Sequence, residues 1–452
     1  MDLPRRLSRL DATTVVIGSM IGAGIFLKAA AIAQLLPDPK LALAVWVVAG
    51  ALSLFGALSL AELGAMHPHS GGLYVYLREA YGPVVAYLFG WSLLAVMQTG
   101  SIAGIAAGVS QNVAELNPGM PQWIRFSLDG SLIMLLTAAN IWSVRAGAGI
   151  QNAFTAAKCL GILALIVGGF TAAGGSLENF RGAALPTGLA LVGAFGTCML
   201  KAMWAYDGWI NATFVAGEVR DPQRNLPRAL AVGTGLVMLV YVLTNAAYHY
   251  GLPLLAVQEA ESPAGALGGA IGGFLGHTDE AIGMGATAIV VLATVSTFGA
   301  LNSSIMTGPR VYYAMARDGL FFKELGAVHA VWLTPWFALA VQGVWSIALL
   351  QFWKSFETIT DNVMFIYWIF YAMGGVAVFL LRARMPDAER PYRVWGYPLV
   401  PLAFVGGALF LIVNTIVENP KNSAQALVLL AVGLVLYPLI KRPQAGAQQD
   451  ER

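Results

Sequence analysis

Apolar runs follow one another along the whole chain, each long enough to cross a lipid bilayer and each closed off by a short loop. They fall at about 11–36, 41–66, 83–115, 123–142, 150–174, 187–217, 228–250, 280–315, 332–352, 357–382, 397–417 and 423–440. A crossing takes roughly 20 mainly apolar residues wound as α-helix, because hydrocarbon offers no water to an open backbone. This pattern predicts an all-α polytopic membrane protein with twelve transmembrane helices. Composition matters here for one reason: 11% of the 452 residues are charged, against about 25% in soluble domains. That is too little charge to coat a water-facing surface, which excludes a soluble enzyme, a disordered chain and a disulfide-built secreted scaffold. The net charge of +2 gives no case for a nucleic acid partner, and Cys159 and Cys198 both sit inside apolar runs.

Basic residues set the orientation of such a chain. With the N-terminus inside, the cytoplasmic segments hold eighteen Lys and Arg, among them Arg5, Arg6, Arg9, Arg78, Arg145, Arg220, Arg224, Arg228, Arg310 and Arg317. The outer segments hold five, namely Lys40, Arg125, Arg181, Lys354 and Lys421. Both termini are therefore expected in the cytoplasm and the protein in the cell (inner) membrane. Residues 1–10 read as a retained basic tail without a cleavage site, and 441–452 as a second tail. Lys28, Lys158, Lys201 and Asp207 remain at membrane depth, where an ionisable group faces a cavity or a partner.

Two spans carry interruptions. The first reads Val15-Val-Ile-Gly-Ser-Met-Ile-Gly-Ala-Gly-Ile-Phe26, with Gly18, Gly22 and Gly24 close together; taken alone, small-residue helix packing explains it equally well. The sixth reads Met199-Leu-Lys-Ala-Met-Trp-Ala-Tyr-Asp-Gly-Trp-Ile-Asn-Ala-Thr213 and breaks at Asp207-Gly208, both poor helix formers. The breaks open consecutive five-span blocks, 11–174 and 187–382, with 397–440 supplying two further spans. An odd number of spans inverts the second block, and unwound segments in matching spans of inverted repeats point to a midplane substrate site. A helix restarting at Gly22-Ala23-Gly24 offers free N–H groups and a positive dipole end to a carboxylate. Helices ending in free carbonyls suit an ammonium group, so an α-amino acid fits both.

These residues resemble the amino acid–polyamine–organocation (APC) superfamily of transporters, and within it the L-type amino acid transporters (LAT) and their bacterial relatives. The resemblance rests on Ile21-Gly-Ala-Gly-Ile-Phe26, on Trp204-Ala-Tyr-Asp-Gly-Trp209 continuing through Glu218-Val-Arg-Asp-Pro-Gln-Arg-Asn-Leu-Pro-Arg228, on Tyr241-Val-Leu-Thr-Asn245, on Asn302-Ser-Ser with Arg310, and on Arg390-Pro-Tyr-Arg393. It implies a leucine-transporter (LeuT) fold, with a 5+5 inverted repeat and broken helices 1 and 6. The N–H groups around Gly22, Ala23 and Gly24 would hold the substrate carboxylate, and carbonyls of Met20, Trp204 and Asp207 its amine. Trp204 would also be the lid, Trp368 an aromatic near the outer vestibule, and Glu218 with Arg224 part of an inner gate. Lys158 would stand where sodium-coupled relatives hold their ion, predicting sodium-independent transport of L-amino acids by alternating access. Obligatory exchange of neutral substrates is expected. A proton-coupled symporter and an exchanger of cationic amino acids or polyamines stay open, because relatives with Tyr-Asp-Gly-Trp carry either class.

Lys201, two turns before Asp207, departs from the family pattern; with Lys28 it would repel an entering cation. His67 and His69 flank Pro68 without other ligands and read as a loop, not a metal site. Glu62 reads as a partner of inner arginines. No catalytic cluster suggests an enzyme, and no cofactor is implied. The loop 117–121 lacks the cysteine that links light chains to a heavy subunit, so no disulfide-linked partner is expected.

Overall fold

The structure, a computed structural model, describes residues 4–117, 119–172, 174–185, 187–260, 262–276, 278–352 and 356–440. The expected tail 441–452 and the outer Lys354 lie outside them. Helix starts follow local chemistry. Ser8 and Asp11 form a reciprocal capping box at the head of α1 (Arg9–Met20). After α2 (Gly24–Leu35), Asp38 accepts from the N–H groups of Lys40 and Leu41, both at 2.9 Å, and Pro39 opens α3 (Pro39–Met66). Next come α4 (Leu73–Tyr81), α5 (Pro83–Ser92), a π-helical turn at Leu93–Met97, α6 (Gln98–Leu116), α7 (Gln122–Trp142) and α8 (Val144–Thr171). The second half runs through α9 (Leu189–Tyr206), the single turn α10 (Asn211–Phe214) and α11 (Pro222–Gly251). Then follow α12 (Leu254–Glu259), α13 (Pro263–Gly276), α14 (Asp279–Thr307), α15 (Pro309–Arg317), α16 (Trp336–Phe352), α17 (Phe356–Arg384), α18 (Leu399–Glu418) and α19 (Pro420–Ile440). Among the described residues the only β-structure is an isolated bridge between Leu7 and Val219.

Eleven of these helices or merged helix pairs are long and apolar enough to cross a membrane; α16 is apolar but shorter. Burial ranks them. In the first span, α1 with α2, 94% of the apolar window is buried, against 17% in α19. The interrupted span therefore runs through the middle, packed by α8, α11 and α14 around α1 and by α9 around α2. Leu160, Leu163 and Val167 of α8, and Val413, Val428 and Val435 near the C-terminus, are exposed, as lipid-facing side chains are.

Three features are not visible in the apolar runs. The segment 251–279, between the seventh and eighth runs, contains α12 and α13. The Gln34 amide donates to the Gln258 carbonyl at 2.6 Å and the Gln258 amide to that of Ala33 at 2.9 Å, fastening α12 over the end of α2. Span eight is two helices, because Pro309 has no N–H to continue the ladder of α14. The sixth span breaks close to its end, leaving a four-residue helix and a 3₁₀ turn at Ala216–Glu218 beyond the break.

Candidate functional site

Both expected interruptions are present, and they lie against each other. The last bond of α1 runs from the Ile21 N–H to the Ile17 carbonyl at 2.9 Å; the first of α2 runs from the Phe26 N–H to the Ala23 carbonyl at 3.1 Å. The N–H groups of Gly24 and Ile25 thus precede the first intrahelical bond of α2. Gly24 is required by contact: a Cβ there would stand 2.6 Å from the Ala205 Cβ and 2.8 Å from its Cα. In the second break Asp207 is extended (φ −67°, ψ 155°) and Gly208 has φ +112°. A Cβ on Gly208 would meet Ser19, its Cβ at 2.7 Å and its carbonyl carbon at 2.9 Å.

Between the breaks is a small cavity, about 30 Å³ for the centre of a water-sized sphere. Ser19, Met20, Gly22 and Gly24 line it from the first span, and Trp204, Asp207, Gly208 and Asn211 from the sixth. Gln98, Ser101 and Ile105 of α6, Ala300 and Ser304 of α14 and Tyr367 of α17 complete the wall. Ala23 is fully buried as the cap residue of α2 and is not on that wall. Trp204 is 9% exposed, and the Lys28 ammonium stands 5.7 Å from its ring centroid. Lys201 is half-buried on α9 and does not line the cavity.

The helix-end carbonyls, expected to be free, are engaged. Lys158 is fully buried on α8 and its Nζ donates to the carbonyls of Gly18 at 3.0 Å and Ile21 at 2.5 Å. Ser296 of α14 donates to the same Ile21 carbonyl at 3.2 Å, so an ammonium and a hydroxyl from two spans meet at the first break. The Tyr241 hydroxyl lies 2.7 Å from the Met20 carbonyl and 3.2 Å from that of Ala205, tying the two breaks together. The Trp204 carbonyl receives the Asp207 N–H at 3.2 Å. A carbonyl has two lone pairs, so one accepted hydrogen bond leaves the Met20 carbonyl a second acceptor position.

Trp368, expected near the outer vestibule, does not reach this cavity. It is 2% exposed, packed on Tyr371 and Phe404, and is not on the cavity wall. One residue is about 100° around a helix, and the neighbour Tyr367 faces the cavity instead. Sequence reasoning passed over Tyr367, Gln98 and Tyr371, and met Tyr241 only as part of a family motif. The signals available were a glutamine inside an apolar span and two tyrosines four residues apart.

At the end of the bundle where residue 7 lies, the Leu7 N–H donates to the Glu218 carbonyl and the Arg220 N–H to the Leu7 carbonyl, both at 2.9 Å. The Glu218 carboxylate is buried and accepts from the Arg310 Nε at 2.7 Å; the ion partner is thus Arg310, whereas Arg224, grouped with Glu218 from sequence, is exposed. Beside them Asp318 accepts from Arg78 and from the Tyr74 hydroxyl, the latter at 2.7 Å. Burial, with the Asp318 carboxylate alongside, pushes the Tyr74 hydroxyl well above the ordinary phenol range, so it remains a donor. Glu62 is fully buried, clasped by Arg382 at 2.6 Å, Arg390 at 3.4 Å and the Val394 N–H at 2.7 Å. Among the described residues no group of three or more His, Cys, Asp or Glu could hold a metal ion.

A family model described as amino acid permease matches residues 7–437. The chain is 32% identical over 442 residues to the b(0,+)-type amino acid transporter 1 of Mus musculus, covering 96% of this chain and 88% of that protein. To the serine/threonine exchanger SteT of Bacillus subtilis it is 30% identical over 459 residues, 98% of each. To the cystine/glutamate transporter of Homo sapiens it is 29% identical over 454 residues, 97% of this chain and 86% of that one.

Proposed function

The chain belongs to the amino acid permease family, and on that premise we propose that it exchanges small neutral L-amino acids across the membrane by alternating access, independently of sodium. One observation carries the reading: two interrupted helices meet at a small cavity, lined by residues at the start of α2 and by residues at the ends of α1 and α9. The substrate carboxylate binds the N–H groups around Gly22, Ala23 and Gly24, at a positive dipole end. The amine binds carbonyls of Met20, Trp204 and Asp207, and Trp204 closes over the side chain.

Lys158 supplies fixed positive charge at the first break, where its ammonium donates to carbonyls a sodium ion would need. Glu218, through Arg310, gates the opposite end. Neutral substrates are supported by the named substrates of SteT, serine and threonine. We read the eleven long helices plus α16 as twelve spans, with 11–174 and 187–382 as inverted five-span repeats. Both termini are cytoplasmic, the membrane is the cell (inner) membrane, and no disulfide-linked heavy subunit is expected, since the loop 117–121 holds no cysteine.

Reconstitution into liposomes tests this. Internal unlabelled serine or alanine is expected to accelerate uptake of labelled serine equally in sodium and choline media. Accumulation driven by a sodium gradient, or by a pH gradient with empty vesicles, refutes the sodium-independent exchange reading.

A further inference from the structure

Among the described residues lining the cavity, Asp207 alone carries a formal charge. An open carboxylate there would draw a guanidinium or ammonium side chain, since such charge-assisted pairs are strong. The carboxylate is half-buried and one of its oxygens is engaged. Its Oδ1 accepts the Tyr371 hydroxyl at 2.6 Å, and the Gly208 N–H also bonds it. Tyr371 does not line the cavity; it stands behind Asp207 on α17, 1% exposed. Its ring is held by Trp209 and Tyr367, each with centroids 5.4 Å away, and by Trp368 at 5.5 Å. Tyr367 is anchored in turn, its hydroxyl donating to Gln98 at 3.3 Å while the Gln98 amide donates to the Ser304 carbonyl at 2.8 Å. Three ring contacts keep the Tyr371 donor at one place, so Oδ1 and the orientation of the carboxylate are already committed when a cation arrives.

We propose that Tyr371 is a specificity-determining positioning residue: by holding the Asp207 carboxylate back against α17, its hydroxyl withholds that charge from the substrate side chain and excludes lysine- and arginine-like substrates. This rests on the reading of the cavity as an amino acid site. It gives Trp368 a role as well, as a wall of the box that fixes Tyr371.

The test is competition in proteoliposomes, reading inhibition of labelled serine exchange by arginine and by alanine. Tyr371→Phe keeps the ring and removes the donor; it is expected to raise the potency of arginine relative to alanine by about tenfold or more. Adding Asp207→Asn to that variant is expected to abolish the gain. A purely structural role for Tyr371 would weaken both competitors together and leave their ratio within about twofold of wild type, which overturns the proposal. Should Tyr371→Phe fail to fold, Asp207→Glu carries the test, because its longer side chain reaches past the hydroxyl; no rise in arginine potency there is equally fatal. Wild-type protein that exchanges no amino acid refutes the underlying reading instead. Wild-type protein that takes arginine as readily as serine shows that the hydroxyl excludes nothing.

Discussion

Replacing Gly208 with alanine probes the contact between the two helix breaks, and the structure separates the cost into two parts. The first is conformational: φ at Gly208 is +112°, a value that L-residues hold at about 1–3 kcal/mol. The second is steric. The new methyl would stand 2.7 Å from the Ser19 Cβ and 2.9 Å from the Ser19 carbonyl carbon, and because the latter is backbone it cannot rotate away. Overpacking of this kind costs about 1–3 kcal/mol. Together they amount to about 2–6 kcal/mol, or roughly thirty-fold to twenty-thousand-fold in the population of the conformation with the breaks in contact. Two controls isolate the parts. Gly82 has φ +87° with nothing within 4 Å of its Cβ position, so Gly82→Ala carries the conformational part alone. Gly24, without a positive φ, approaches Ala205 at 2.6 Å, so Gly24→Ala carries the steric part. Serine exchange in liposomes, alongside thermal stability in detergent, is expected to place Gly208→Ala below both controls. Exchange by Gly208→Ala within about twofold of wild type, with Gly82→Ala measurably destabilised, would refute the argument that the breaks press together.

Lys158→Met preserves the bulk of the side chain and removes its donors to Gly18 and Ile21, each worth about 1.5–3 kcal/mol as a charged hydrogen bond; exchange is expected to fall at least about tenfold, and unchanged exchange rates would show the ammonium to be dispensable. Arg310→Met leaves the buried Glu218 unpaired at a cost of about 3–5 kcal/mol and is expected to slow maximal exchange more than it shifts half-saturation. Adding Glu218→Gln should recover part of the loss; strictly additive effects in this double-mutant cycle would mean the pair is uncoupled. Glu62→Gln, which loosens the clasp of Arg382 and Arg390, is expected to lower thermal stability without altering substrate preference, since Glu62 is not on the cavity wall; a changed arginine-to-alanine ratio would contradict that.

Much of the site was legible because its markers are local. Glycines at 22 and 24, and Asp207-Gly208, weaken a helix wherever they occur, and a lysine at membrane depth demands acceptors whatever the fold. The carbonyls that Lys158 found belong to the first break, 137 and 140 residues away. The tyrosines were harder to see. Tyr241, Tyr367 and Tyr371 look in sequence like the interfacial aromatics common to membrane helices, and only their hydroxyl partners set them apart. That Tyr367 and not Trp368 faces the cavity was hidden for the same reason: helical phase within a span depends on which neighbours it packs against, and an apolar stretch buried nearly all round has little amphipathic signal to show it. The helices of 251–279 went unread because an Ala- and Gly-rich segment between two spans carries little periodicity of its own.

What the chain's own order of residues determined is that it crosses a bilayer many times, and where two of those crossings come undone, because hydrocarbon permits no other backbone and those residues hold a helix poorly. What tertiary structure alone decided is which groups the loosened backbone meets: Lys158 and Ser296 on one carbonyl, Tyr241 spanning both breaks, Tyr371 occupying Asp207. Those partners come from four other helices, α8, α11, α14 and α17, and hydrogen bonding needs an approach of about 3 Å that no spacing along one strand of sequence can specify.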